Sequence, residues 1–321
     1  MSTATSLRAR GAALLLLALL LSGALPAAAQ RLQGRVTRGG EAVGNVAVEL
    51  HRVTRDSAGV VSRTQAGPDG SFAFTLPPAD PTGFTVLIAT AEYLGVRYFG
   101  NPIHSSETLS GYTVQVFDTL TATPANAPLR VVRRDVIVLP EKDGGAEVNE
   151  VLQILNPTGK TLVAPQGMPL WAFGIPAGAG AFEAGEGKIG PESVQRMGDR
   201  VFLTGSFVPG AQELFIRYRL ARGARRTALP VAPATDTMNL FVRQSADEAK
   251  VAGLAPPALV EVEGEKFLRY SGAGIGGRKE VVLEWKRASA PPVDPRLAAV
   301  GVTGILLAVG AGMAVRRGRK A

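Results

Sequence analysis

Between residues 31 and 118, apolar side chains recur at every second position in short runs that stop at Gly, Pro, Asn or Asp. A period of two sends successive side chains to opposite faces of an extended chain, whereas a helix needs a period near 3.6. Val46, Val48 and Leu50 share one face, with Ala47, Glu49 and His51 on the other. Phe72 and Phe74 alternate with Ser71 and Ala73 directly after Pro68-Asp69-Gly70, a strong turn sequence. Phe84, Val86 and Ile88 form the next run, followed by Val96 with Tyr98 and by Val114 with Val116. About seven short strands without helical periodicity predict a β-sandwich over residues 30–118.

These residues also carry a resemblance. Gly34-Arg35-Val36, the run Gly44 to Leu50, the run Gly67 to Phe74 and the run Ala91 to Tyr98 are similar to the carboxypeptidase regulatory-like domain. That family resembles transthyretin: a compact seven-stranded sandwich with Greek-key character. The resemblance covers about 90 of the 321 residues. It implies a folding or interaction accessory, since the family's domain itself lacks catalytic residues.

Residues 119–126 read as a linker, and a second set of strands follows over 127–222, at residues 129–139, 147–155, 170–175, 200–204 and 212–220. The last of these is clean, with Leu214, Ile216, Tyr218 and Leu220 on one face and Glu213, Arg217 and Arg219 on the other. A smaller block, 227–287, has strand patterns at 238–242, 259–262, 266–270 and 280–285. Roughly 60 residues is marginal for an independent core, so this block is either a small domain or an extension of the second sandwich. The expected fold class is therefore all-β, with tandem immunoglobulin-like or transthyretin-like sandwiches.

The two ends set the expected location. Arg8 and Arg10 precede an apolar run from Gly11, and Ala27 with Ala29 match a signal-peptidase site, so residues 1–29 read as a signal peptide. After a tether at 288–296, the 19 uncharged residues Leu297 to Val315 are long enough to span a bilayer as a helix. Four cations in the tail 316–321, against Arg296 alone before the span, place the C-terminus in the cytoplasm. The expectation is a single-pass protein of the inner (cytoplasmic) membrane with its ectodomain in the periplasm or outside; a sorting tail that is later removed is the alternative. Gly304, Ala308 and Gly312 form a small-residue stripe along the span and are the candidate helix-packing positions. The net charge of +8 shrinks to about +2 once the signal and tail are set aside, so the basic balance reports topology and gives no nucleic-acid partner.

Catalytic chemistry is short of parts. With no cysteine and two histidines, His51 and His104, the chain has no disulfide, thiol nucleophile or cysteine-ligated metal. His104 and Glu107 have the spacing of two zinc ligands, but no later histidine supplies a third, and the surroundings read as a loop. Gly272 to Gly277 satisfies G-x-G-x-x-G, yet a strand pattern follows where a dinucleotide site needs a helix, so a glycine-rich hairpin is expected. Gly187-Lys188 lacks the upstream glycine of a phosphate loop, where Phe182 stands, and has Ile189 where a hydroxyl binds Mg²⁺. Asp69 and Asp143 precede glycine in turns outside any calcium pattern, and Glu261, Glu263 and Glu265 read as the wet face of a strand. Trp171, Phe173, Tyr93 and Tyr98 fit core packing better than a sugar-binding platform. No catalytic, cofactor or metal residue is assigned. The expected role is non-catalytic, a membrane-anchored module for protein interaction or scaffolding in the cell envelope. A carbohydrate- or surface-polymer-binding module comes second, and a hydrolase with an unrecognised site third.

Overall fold

The computed structural model describes residues 30–77, 85–104, 110–141, 145–221, 226–232, 234–244, 249–277 and 280–285. The signal peptide, the tether, the span with Gly304, Ala308 and Gly312, and the tail lie outside these residues. The chain divides into two compact units, Met1–Val116 and Phe117–Ala321. Among the described residues the regular structure is strand, apart from two short 3₁₀ turns, and no helix is long and apolar enough to cross a membrane.

The first unit contains β1 (Arg31–Arg38), β2 (Glu41–Ala42), β3 (Ala47–Thr54), β4 (Ala58–Gln65), β5 (Ser71–Thr75), β6 (Thr85–Tyr93), β7 (Val96–Phe99), β8 (Ile103–His104) and β9 (Ser110–Gln115). One sheet is built on β1, which pairs antiparallel with β5 and parallel with β9, so the unit's first and last strands lie side by side. The other runs β4-β3-β6-β7, with β8 also on β6. Phe72, Phe74 and Val114 are buried as the alternation predicts, as are Val48, Leu50, Val96 and Tyr98; Leu32 and Val36 of β1 join them. The 68–70 turn is equally literal. Asp69 Oδ1 accepts from the Ser71 amide (3.1 Å) and hydroxyl (2.6 Å), and Gly70 has φ +74°. A Cβ there would lie 2.7 Å from the Val36 carbonyl oxygen, which demands glycine.

Strand β6 corrects the expectation. Its core-facing residues are Leu87, Ala89 and Ala91, opposite Leu50 and Val48 of β3, whereas Val86 and Ile88 share the other face and Phe84 lies outside the described residues. The two alanines are small enough to hide the inward face from a reading by hydrophobic bulk; register with β3 decides it.

The second unit contains β10 (Thr119–Thr121), β11 (Arg130–Pro140), β12 (Ala146–Asn156), β13 (Thr161–Val163), β14 (Trp171–Gly174), β15 (Gly180–Ala184), β16 (Val194–Met197), β17 (Arg200–Leu203), β18 (Gly210–Leu220), β19 (Arg226–Pro230), β20 (Thr237–Arg243), β21 (Ala249–Ala252), β22 (Ala258–Val262), β23 (Glu265–Ala273) and β24 (Glu280–Trp285). A seven-stranded sheet runs β15-β18-β12-β11-β20-β23-β22, and smaller sheets comprise β14-β17-β16, β19-β24-β21 and β10-β13. The expected faces of β18 hold: Leu214, Ile216, Tyr218 and Leu220 are buried, while Arg217 and Arg219 are exposed.

Two expectations change here, and a third was open between two alternatives. The supposed linker is partly strand, since Thr119–Thr121 pairs in parallel with Thr161–Val163. For the 227–287 block, the described residues fit the second alternative, an extension of the second unit: β20, β22 and β23 complete its large sheet, and Leu229, Leu240, Tyr270 and Leu283 share one core with Val136, Leu152 and Ile216. The glycine-rich segment 272–277 is no hairpin, because β23 and β24 belong to different sheets; the 3₁₀ turn Ile275–Gly277 carries the chain between them on a buried Ile275.

Candidate functional site

The first unit carries an open groove of about 630 Å³. Its floor is three neighbouring strands, with Ser71, Phe72 and Ala73 of β5, Gln33, Gly34 and Arg35 of β1, and Gly111, Tyr112 and Thr113 of β9. Thr64 and Gln65 of β4 form a wall. Phe72 and Tyr112 contribute backbone, since their rings are buried and pack edge-on at 6.4 Å. Gly34 makes this packing possible, because a Cβ there would come within 2.6 Å of the Phe72 ring. What reaches into the groove is polar and small: two amides, three hydroxyls and one guanidinium. Arg35 is mostly exposed and stands 3.6 Å from Asp69, whose carboxylate is already engaged by Ser71 and held below the ordinary range by those hydrogen bonds. β4 pairs only with β3, and β5 only with β1, so the groove lies beside two strand edges without a ladder partner among the described pairings.

The outer face of the β3-containing sheet holds a charged cluster around Glu49. Arg63 Nε donates to it at 2.8 Å, His51 Nε2 is 3.3 Å away and Arg97 is 3.8 Å away. The Arg63 hydrogen bond, ahead of the nearby charges, keeps the carboxyl below its usual range. His51 Nε2 also meets Thr90 Oγ1 at 3.1 Å. These contacts tie β3, β4, β6 and β7 together as one surface charge network.

In the second unit the densest ionisable group is inside the core. Arg134 donates from Nε and Nη2 to the two Glu150 oxygens at 2.8 and 2.9 Å, and from Nη1 to the Pro230 carbonyl on β19. The Tyr218 hydroxyl donates to Glu150 as well. Burial opposes the guanidinium charge, but the Glu150 charge restores it and holds Arg134 above its ordinary range; burial, then the Glu150 charge, push Tyr218 well above a free phenol. This bidentate pair, with its third bond to Pro230, links the large sheet to the β19 sheet; its role is packing and register. On the opposite face of β11, Asp135 accepts from Asn239 Nδ2 at 2.7 Å and lies 2.9 Å from Arg133 Nε. Burial outweighs both partners and raises its pKa.

The remaining candidates are placed as follows. Trp171 and Phe173 are buried, with ring centroids 5.4 Å apart, and Tyr98 is buried, so these aromatics are core. Tyr93 accepts a hydrogen bond from Arg38. The backbone of His104 lies in β8, paired with Val86, rather than in a loop; Glu107 and Asp143 lie outside the described residues. Gly187 and Lys188 are in a bend. Glu261 is on β22, but Glu263, with φ +51°, and Gly264 form the two-residue turn into β23, so Glu263 leaves the strand face. Among the described residues no group of three or more His, Cys, Asp or Glu is placed to hold a metal.

Neither known protein families nor curated proteins match the chain. Among solved structures, the M1 zinc metallopeptidase from Deinococcus radiodurans is 13% identical with a TM-score of 0.30, covering 49% of this chain and 42% of that one. A mutant of that enzyme with a bound Tyr-Ser-Ala substrate gives the same figures, and a two-domain M1 zinc metallopeptidase mutant with L-arginine is 12% identical at 0.30. The chain spans well under half of those proteins, and a likeness of that size carries no argument about fold or function.

Proposed function

We propose that the chain is a non-catalytic envelope protein, exported by residues 1–29 and held in the cytoplasmic membrane by a single helix over 297–315, whose β units serve protein interaction or scaffolding outside the cytoplasm. In this reading the first unit is a carboxypeptidase regulatory-like module, and the Gly304, Ala308 and Gly312 stripe packs the anchor against another helix. The observation that supports it best is the polar groove on β5, β1 and β9 beside the free edge of β4, which offers hydrogen-bonding surface to an extended partner. Carbohydrate binding is less well supported, because Trp171, Phe173 and Tyr98 are spent on core packing.

Chemical cross-linking of intact cells, followed by purification of the tagged full chain, tests the proposal. A discrete protein adduct is expected. Recovery of the chain alone, or with envelope polysaccharide and no protein, would contradict it.

A further inference from the structure

We infer that the groove of the first unit captures a short extended peptide segment bearing one carboxylate, which adds to the free edge of β4 and is read by Arg35. The inference rests on the interaction reading above and names the partner's chemistry.

The edge comes first. β4 pairs with β3 on one side only, and its ladder is interrupted at Val61, where the register slips between Leu50 and His51 of β3. A bulge of this kind twists the edge and blunts it. The regular stretch left for a new strand is Ser62 to Gln65, and its last two residues are the groove wall. No residue of β3 lines the groove, so the open space lies on the unpaired side of β4. Four residues in extended form reach about 13 Å, the scale of a tetrapeptide.

The lining says which peptide. An added strand gains affinity from main-chain hydrogen bonds and specificity from the groups its alternate side chains meet. Here those are the amides of Gln33 and Gln65 and the hydroxyls of Ser71 and Thr113, which accommodate peptide groups and short polar side chains. The floor is kept shallow by Ala73 and Gly111. Arg35 is the only cation in the lining, and its neighbour Asp69 is committed to Ser71 by two hydrogen bonds while standing 3.6 Å from the guanidinium. A planar fork with such a loose partner fits an incoming carboxylate bidentately. No aromatic face is presented on which a sugar ring would stack, since the Phe72 and Tyr112 rings are buried. The carboxylate belongs either to an acidic side chain or to a chain terminus, which share this chemistry.

The test is selection of a random dodecapeptide display library on the detergent-solubilised full chain, followed by synthesis of the enriched peptides. Enriched sequences should carry Asp, Glu or a free C-terminus beside β-branched residues. Amidation or Glu→Gln in the peptide then shows which carboxylate is read. Arg35→Gln should weaken binding about tenfold, the loss of one charge-assisted contact. Arg35→Glu should instead enrich Lys- or Arg-bearing peptides, and Ala73→Arg, an exposed position whose replacement spares the core, should abolish binding with unchanged circular dichroism. N-methylation of alternate peptide amides should also cost about tenfold, as main-chain pairing requires. Peptides indifferent to both Arg35→Glu and Ala73→Arg, or displaced by the polyuronate alginate, would overturn the inference. If no peptide is enriched while cross-linking in cells still captures a protein, the groove assignment falls and the interaction reading stands; if neither binds, both fall.

Discussion

Glu150 shows how much a single residue can conceal. It sits between Val148 and Leu152 at a parity that points inward, and that placement was legible in the alternation of β12; its partners were not, because Arg134 and Tyr218 lie on other strands. Removing one member of a buried pair leaves an uncompensated charge, so Arg134→Met should destabilise the second unit by about 3–5 kcal/mol. Replacing all three as Arg134→Met, Glu150→Leu and Tyr218→Phe should recover most of that loss, measured by urea unfolding of the purified chain. Asp135 has the opposite character. Its folded pKa is raised by burial, so its contribution to stability is full below the unfolded value and is lost as pH rises through the folded one. Asp135→Asn should therefore raise the unfolding midpoint at pH 7, and the gain should vanish as pH falls below about 4. A midpoint shift independent of pH would mean that shape, rather than charge, governs the site.

At the scale of elements, most strands were readable where large apolar residues alternate with polar ones, as in β3, β5 and β18. The reading failed where the cue was small or distant. β6 hides its inward face behind Ala89 and Ala91, and β10 is polar in sequence and is defined only by its pairing with β13. The glycines of 272–277 were recognisable as a break, but only sheet membership shows that they carry the chain from β23 to β24. The groove was the least legible element. Gln33, Arg35, Gln65 and Thr113 come from three strands and look like ordinary solvent-facing positions until β1 brings β5 and β9 together. Gly34 underlies that groove, and Gly34→Val should force the Phe72 ring and the Tyr112 carbonyl apart at a cost of about 1–3 kcal/mol. Differential scanning calorimetry should show the loss, while Gly111→Ala, which meets no neighbour but has φ +86°, should cost less.

For the whole molecule, the proposed export signal and anchor and the proposed binding face are separately testable. A reporter that works only outside the cytoplasm should be active when fused after Lys286 and silent after Ala321; the reverse would overturn the orientation drawn from the basic tail. The central claim is that the exported β units exist to hold a protein partner at the first unit's groove. Site-specific photo-cross-linking in living cells addresses it most directly, with the photoreactive residue placed at Gln33 in the groove and, for comparison, at Glu261 on β22. The account predicts a protein adduct of defined mass from Gln33 that disappears with Ala73→Arg, and none from Glu261; no adduct from Gln33, or one that persists when the groove is filled, would contradict it.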